Sequence, residues 1–212
     1  MKIALLNGSP KVNQSASGSL LEDLKRQILK RHSEKIEFVE IALHHSVVSQ
    51  EAIEKLKNIE VWVFAYPLYV DAVPAHLLSC LVQLEKINWN CKIHIYGIVN
   101  CGFYEGIQAT FALQVLQNWC IKSRCIWGGG IGVGGGGCLV TIPTLENGHG
   151  PKEPINKALG TMADKMLQKE VLENQYVSIA FPRFLYKMAA QMGWRQMIRA
   201  NGGKKKDLGK QL

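Results

Sequence analysis

The strongest constraint on this 212-residue chain is an alternation. Five short β-rich apolar runs, Ile3–Leu6, Ile36–Ile41, Val61–Tyr66, Ile93–Val99 and Cys125–Trp127, are separated by segments whose apolar residues recur at helical spacing. Such a pattern predicts βαβ units and a parallel sheet. The third and fourth runs are apolar enough to be central strands covered on both faces. The intervening stripes are Leu20, Leu21, Leu24, Ile28 and Leu29; then Leu77, Leu78, Leu81 and Val82; then Ile107, Phe111, Val115 and Trp119. A weaker helical pattern covers Glu51–Lys57, and a clearer one starts near Pro154 and runs through Ile155, Leu159, Met162 and Met166. The expectation is an α/β fold: a doubly wound five-stranded parallel sheet, order 2-1-3-4-5, with helices on both faces. In such sheets ligands bind at the carboxyl ends of the strands, beside the switch point between strands 1 and 3.

Two apolar stretches test whether the chain could enter a membrane. Val61–Leu84 holds one charge, Asp71, but Pro67 and Pro74 divide it into strand, loop and helix. Cys125–Leu145 holds none, yet eight of its residues are glycine, each costing a helix about 1 kcal/mol relative to alanine. Neither predicts a span. The apolar run after Met1 is too short for a signal peptide, so the expected location is the cytoplasm. The six cysteines form no C-x-x-C pair and read as reduced core thiols, with no metal site expected.

Charge is unevenly placed. The formal net charge is +8, but Pro182 to the end carries eight of the 25 Lys and Arg and one of the 17 acids, Asp207. The expected organisation is therefore a nearly neutral domain, residues 1–181, followed by a basic amphipathic C-terminal helix in residues 182–212.

Three loops carry the chemical signal. After strand 1 comes Gly8-Ser9-Pro10-Lys11-Val12-Asn13-Gln14-Ser15-Ala16-Ser17-Gly18-Ser19, entering a helix near Ser15. Hydroxyls and exposed N–H groups at a helix amino end suit a phosphate, and a terminal monophosphate rather than a Walker A or dinucleotide site, because neither G-K-[ST] nor G-x-G-x-x-G is present. An ordinary serine N-cap would look the same. After strand 3, Pro67 and Pro74 stiffen a loop that holds Leu68, Tyr69 and Val70 at the ligand edge, where a flat aromatic ring, or the core itself, would use them. After strand 4, Asn100-Cys101-Gly102-Phe103-Tyr104-Glu105-Gly106 can bring backbone close to a planar ligand.

Together N-G-S-P-K with its serines, P-L-Y-V-D-x-x-P, N-C-G-F-Y-E-G, G-G-x-G-x-G-G-G-G, P-R-F-L-Y-K and G-G-K-K-K-D-L resemble the flavodoxin-like NAD(P)H-dependent FMN reductase and quinone oxidoreductase group. The resemblance implies that Ser9, Lys11, Ser15, Ala16 and Ser17 surround an FMN phosphate. It also implies that Pro67, Leu68, Tyr69 and Val70 face the isoalloxazine, and Asn100, Cys101, Gly102, Phe103 and Tyr104 its pyrimidine side. Many relatives have Asn or Thr where Ala16 or Ser17 stands. The flavin itself accepts and redelivers hydride, so no catalytic residue is demanded. Tyr104 and Glu105 are open between proton delivery and a surface role, and His44, His45, His76 and His149 read as ordinary histidines.

The glycine-rich run Gly128–Gly137, followed by Pro143 and Asn147-Gly148-His149, reads as a long connection after strand 5. It is expected to border the nicotinamide or acceptor pocket, to pack at a dimer contact, or simply to connect. The implied activity is hydride transfer from NADH or NADPH through FMN to free flavin, a quinone or another small acceptor, and a homodimer is expected. A flavodoxin-type electron carrier and a flavin-free binding module are the alternatives. For the basic tail the readings are docking on a subunit, peripheral membrane contact, or attraction of the NADPH 2′-phosphate. Nucleic acid is not expected, because no recognition fold surrounds Lys204-Lys205-Lys206.

Overall fold

A computed structural model describes residues 1–32, 36–89, 91–142 and 150–209. It contains two compact units, Met1–Ala180 and Phe181–Leu212.

The first unit holds a six-stranded parallel sheet. Its strands are β1 (Lys2–Asn7), β2 (Glu37–Ala42), β3 (Val61–Pro67), β4 (His94–Asn100), β5 (Ile126–Val133) and β6 (Gln175–Val177), in the order β2-β1-β3-β4-β5-β6. The expected order is thus present and extended at one edge. The sequence pattern does not predict β6, because three half-buried residues are too few to show a period. The helices are α1 (Ala16–Arg31), α2 (Gln50–Leu56), α3 (Ala75–Glu85), α4 (Thr110–Lys122) and α5 (Glu153–Leu167). Every residue of β3 is buried, as a central strand requires. Trp62, Phe64 and Tyr66 join the core under α2, α3 and α4. On the other face α1 packs beside α5.

Two expectations are corrected. Cys125–Trp127 is only the start of β5, which continues through the glycines to Val133. Propensity argues against glycine in a strand, but packing requires it here. The register slips by one residue between Ile95 and Tyr96, where Gly128 is the extra residue of a bulge; the next residue, Gly129, stands at φ +115, and a Cβ on Gly128 would lie 2.4 Å from the Tyr96 ring.

The helical stripes are also rotated. α3 buries Leu77, Cys80, Leu81 and Leu84, while Leu78 and Val82 are exposed. α4 buries Ala112, Leu113, Leu116, Trp119 and Cys120, leaving Phe111 and Val115 outside together with Ile107 of the preceding 3-10 turn, Gly106–Ala109. On α1, Leu29 of the expected stripe is exposed. Apolar periodicity reports faces, not which of two apolar faces meets the sheet.

Candidate functional site

The carboxyl edge of the sheet is built by neighbouring strands, and the ladder continues past their ends. Gly8 N–H donates to Ala65 O at 2.8 Å, Leu68 N–H to Asn100 O at 2.8 Å and Cys101 N–H to Val133 O at 2.9 Å. Each of the three loops therefore leaves the sheet already tied to the adjacent strand.

In the first loop, Asn7 Oδ1 accepts from Ser9 N–H at 3.1 Å and Ser9 Oγ accepts from Lys11 N–H at 3.3 Å. Ser15 caps α1 by accepting from Gly18 N–H at 3.0 Å. Ser9, Ser15 and Ser17 are buried, Ala16 is half-buried and Lys11 is exposed. The backbone N–H groups of Val12 through Ser17 have no protein acceptor among the described residues. Six donors are thus left at the amino end of α1, where the helix dipole favours an anion.

Two histidines brace this loop. His44 Nδ1 lies 2.6 Å from Ser9 O and His76 Nε2 lies 3.2 Å from Gly8 O. A carbonyl only accepts, so each of these ring nitrogens carries a proton and donates it. The sequence reading assigned neither a role in the site. The available signal was positional: His44 stands two residues beyond the carboxyl end of β2, and His76 lies in the first turn of α3.

The first and third loops are stitched together by Ser17 Oγ, which donates to Asn100 Oδ1 at 2.8 Å, both residues being buried. The Ser17 hydroxyl proton is therefore committed within the protein.

In the second loop Pro67 is buried, Leu68 half-buried and Tyr69 exposed. Tyr69 and Ala72 exchange backbone hydrogen bonds of 3.1 and 3.0 Å around a two-residue turn. Both central residues are left-handed, Val70 at φ +49 and Asp71 at φ +57. For β-branched Val70 this conformation is a steric outlier, and the side chain is 99 % exposed, so no packing inside the protein repays it.

In the third loop the Cys101 thiol is buried and reaches Phe103 O at 3.7 Å and Glu105 O at 3.5 Å; burial pushes its pKa up. Gly102 and Phe103 are exposed, and half-buried Tyr104 donates its hydroxyl to Ile179 O at 3.5 Å. The loop rests on the glycine-rich run. Gly135 N–H donates to Phe103 O and Gly136 N–H to Cys101 O, both at 2.7 Å. The run is therefore strand and loop support at this point. Pro143, Asn147, Gly148 and His149 lie outside the described residues.

A cleft of about 450 Å³ opens elsewhere, at the amino edge of β4 and β5, lined by Lys86, Trp89, Cys91, Ser123 and Arg124 among others. The carboxyl ends of α3 and α4 border it. Their carbonyls make it a poor place for a phosphate, and the three-loop edge remains the candidate site. Among the described residues no cluster of His, Cys, Asp or Glu could hold a metal ion, and no helix is long and apolar enough to cross a membrane.

Residues 1–79 match a family model described as a flavodoxin-like fold, and the parallel sheet of the first unit has the corresponding strand order. The chain has a flavodoxin-like fold. Solved structures with this fold resemble it over most of their length. An NADH:FMN oxidoreductase in its apo form shares 13% identity at a TM-score of 0.58, covering 80% of this chain and 89% of its own. An NAD(P)H:quinone oxidoreductase from Methanothermobacter marburgensis shares 15% at 0.54, covering 77% and 94%. A flavodoxin from Streptococcus pneumoniae shares 9% at 0.54, covering 80% and 99%. No curated protein matches the chain. Identities this low speak for the fold and leave the chemistry to the site.

Proposed function

We propose that this flavodoxin-like chain is an FMN-dependent oxidoreductase that takes a hydride from NADH or NADPH and passes the electrons to a small acceptor such as free flavin or a quinone. The observation that carries the reading is the pairing of six unpartnered N–H donors, Val12 to Ser17, with the strained, fully exposed Val70 turn at the same sheet edge. The donors fit a terminal phosphate, and an apolar residue held in a costly conformation with nothing to pack on fits a flat ring. FMN, when bound, supplies hydride acceptance and redelivery.

The chain's own residues do the holding. Ser9, Lys11, Ser15, Ala16 and Ser17 furnish the phosphate loop, its carbonyls restrained by His44 and His76. Pro67, Leu68, Tyr69 and Val70 offer the apolar wall. Asn100 through Tyr104 offer backbone groups for the polar edge of the ring.

FMN added to the purified protein is expected to bind stoichiometrically and to bleach when NADH or NADPH is added under anaerobic conditions. Bound flavin that stays yellow would make the protein an electron carrier, and no binding at all would leave a cofactor-free module. In the same titration Val70→Gly relieves a backbone cost of about 1 kcal/mol while deleting the apolar contact. Its thermal midpoint is expected to hold or rise while FMN affinity falls several-fold.

The outward apolar residues of α3 and α4, Leu78 (46 % exposed), Val82, Phe111 (66 %) and Val115, with Ile107, support a homodimer in which a second copy covers this face. Phe111→Glu is expected to yield a monomer by light scattering. An unchanged mass would remove this face as the interface.

A further inference from the structure

Removing the second unit's charges leaves an ordinary protein. Outside Pro182 to the carboxyl terminus there are 17 Lys and Arg and 16 Asp and Glu, whereas that tail holds eight basic residues and one acid. Its helix, α6 (Arg183–Ala200), contains no Asp or Glu and buries no residue. The single acid, Asp207, uses its carboxylate to accept from Lys204 N–H at 2.7 Å.

The apolar side chains of α6 are as exposed as its charges. Phe184 is 65 %, Met192 66 % and Trp194 64 % exposed, and Met188 and Met197 are also more than half exposed. Phe184, Met188 and Met192 follow one another at intervals of four, so they share one face of the helix. Arg195 and Arg199 prolong that row, Lys187 lies about 60° to one side of it and Arg183 about 100°. A row of large apolar groups ending in long cations is costly in water. It is satisfied at an interface where the apolar groups leave water and the cations meet negative charge, their stems lying along the apolar surface.

We propose that α6 docks the protein on an anionic lipid bilayer, lying in the plane of the interface with Phe184, Met188 and Met192 inserted and the basic residues on the headgroups. Charge complementarity selects this occupant. A second copy of the same unit brings another excess of cations and is repelled. The nearly neutral remainder of the chain offers no acidic surplus to a partner subunit. A nucleic acid would satisfy the cations but leave the methionines exposed. Spanning is ruled out by the charges along the helix. This inference does not depend on the flavin reading.

The test is co-sedimentation of the full chain with vesicles of phosphatidylcholine alone and of phosphatidylcholine with a quarter phosphatidylglycerol, at low and high salt. The protein is expected to sediment with the anionic vesicles at low salt and to stay in solution with the neutral ones. Met188→Glu/Met192→Glu and, separately, Lys204→Glu/Lys205→Glu/Lys206→Glu should each lower the partition at least tenfold. All five positions are exposed, and circular dichroism checks that the variants are folded. Failure of the wild-type chain to sediment with anionic vesicles would overturn the proposal. So would an unchanged partition of the Met188→Glu/Met192→Glu variant, since a generic polyanion site makes no use of the methionines.

Discussion

Gly134→Ala is expected to lower the thermal midpoint by roughly 10 °C and, on the proposed function, to abolish FMN retention. A Cβ on Gly134 would stand 1.9 Å from Tyr104 O, 2.6 Å from Tyr104 C and 2.8 Å from Gly106 N. These are backbone atoms, so no rotamer change relieves the overlap, and the loop after β4 must move as a body. Overpacking of this kind costs about 3 kcal/mol. Gly134 is itself held by its N–H donating to Val177 O at 2.8 Å, so it cannot retreat without breaking the β6 edge. Displacing the Asn100–Tyr104 segment would also strain the Ser17–Asn100 hydrogen bond that ties it to the head of α1. Differential scanning calorimetry and a flavin absorbance titration measure the two effects. A variant that melts with the wild type would show that the loop yields freely.

The second large effect is expected at the seam between α1 and α5. Lys152 Nζ lies 3.1 Å from Asp23 Oδ2 and 3.2 Å from Ser19 Oγ, with the Lys152 and Asp23 side chains only 3 % and 1 % exposed. Removing one member of such a pair leaves the other's buried charge short of its main counter-ion, a loss of about 3–5 kcal/mol. Lys152→Met should therefore be strongly destabilised in urea. The double variant Asp23→Leu/Lys152→Met should recover most of the loss, because with both charges gone no buried charge needs compensation there. A single variant as stable as the wild type would mean that solvent or Arg26, whose Nη1 stands 3.6 Å from Asp23 Oδ1, rescues the carboxylate.

Much of this architecture is visible in residue order. The alternation of apolar runs predicts the parallel sheet because a buried strand and an amphipathic helix differ in period, and the period is a property of local sequence. Ser15 at the head of α1 is legible for the same reason, since a cap acts within four residues. The Lys152–Asp23 pair is not, because its members are 129 positions apart and each looks like a surface charge. Nor is the length of β5. Glycine reads as loop by propensity, and only the Tyr96 ring beside Gly128, the Leu172 carbonyl beside Gly129 and the Gly106 carbonyl beside Gly132 explain why side chains are excluded. The two-sided apolar helices α3 and α4 show the same limit: their composition allows either face inward, and the sheet chose.

The sequence by itself therefore determined the repeating βαβ plan, the carboxyl-edge loops and the segregation of positive charge into the last 31 residues, all of which depend on neighbours along the chain. Only the tertiary structure decided which faces are buried, that Ser17 bonds Asn100, that His44 and His76 brace the loop after β1, and that Val70 is held strained in solvent. Those outcomes depend on which distant groups compete for the same space and the same hydrogen bonds, and chain order does not encode that competition locally.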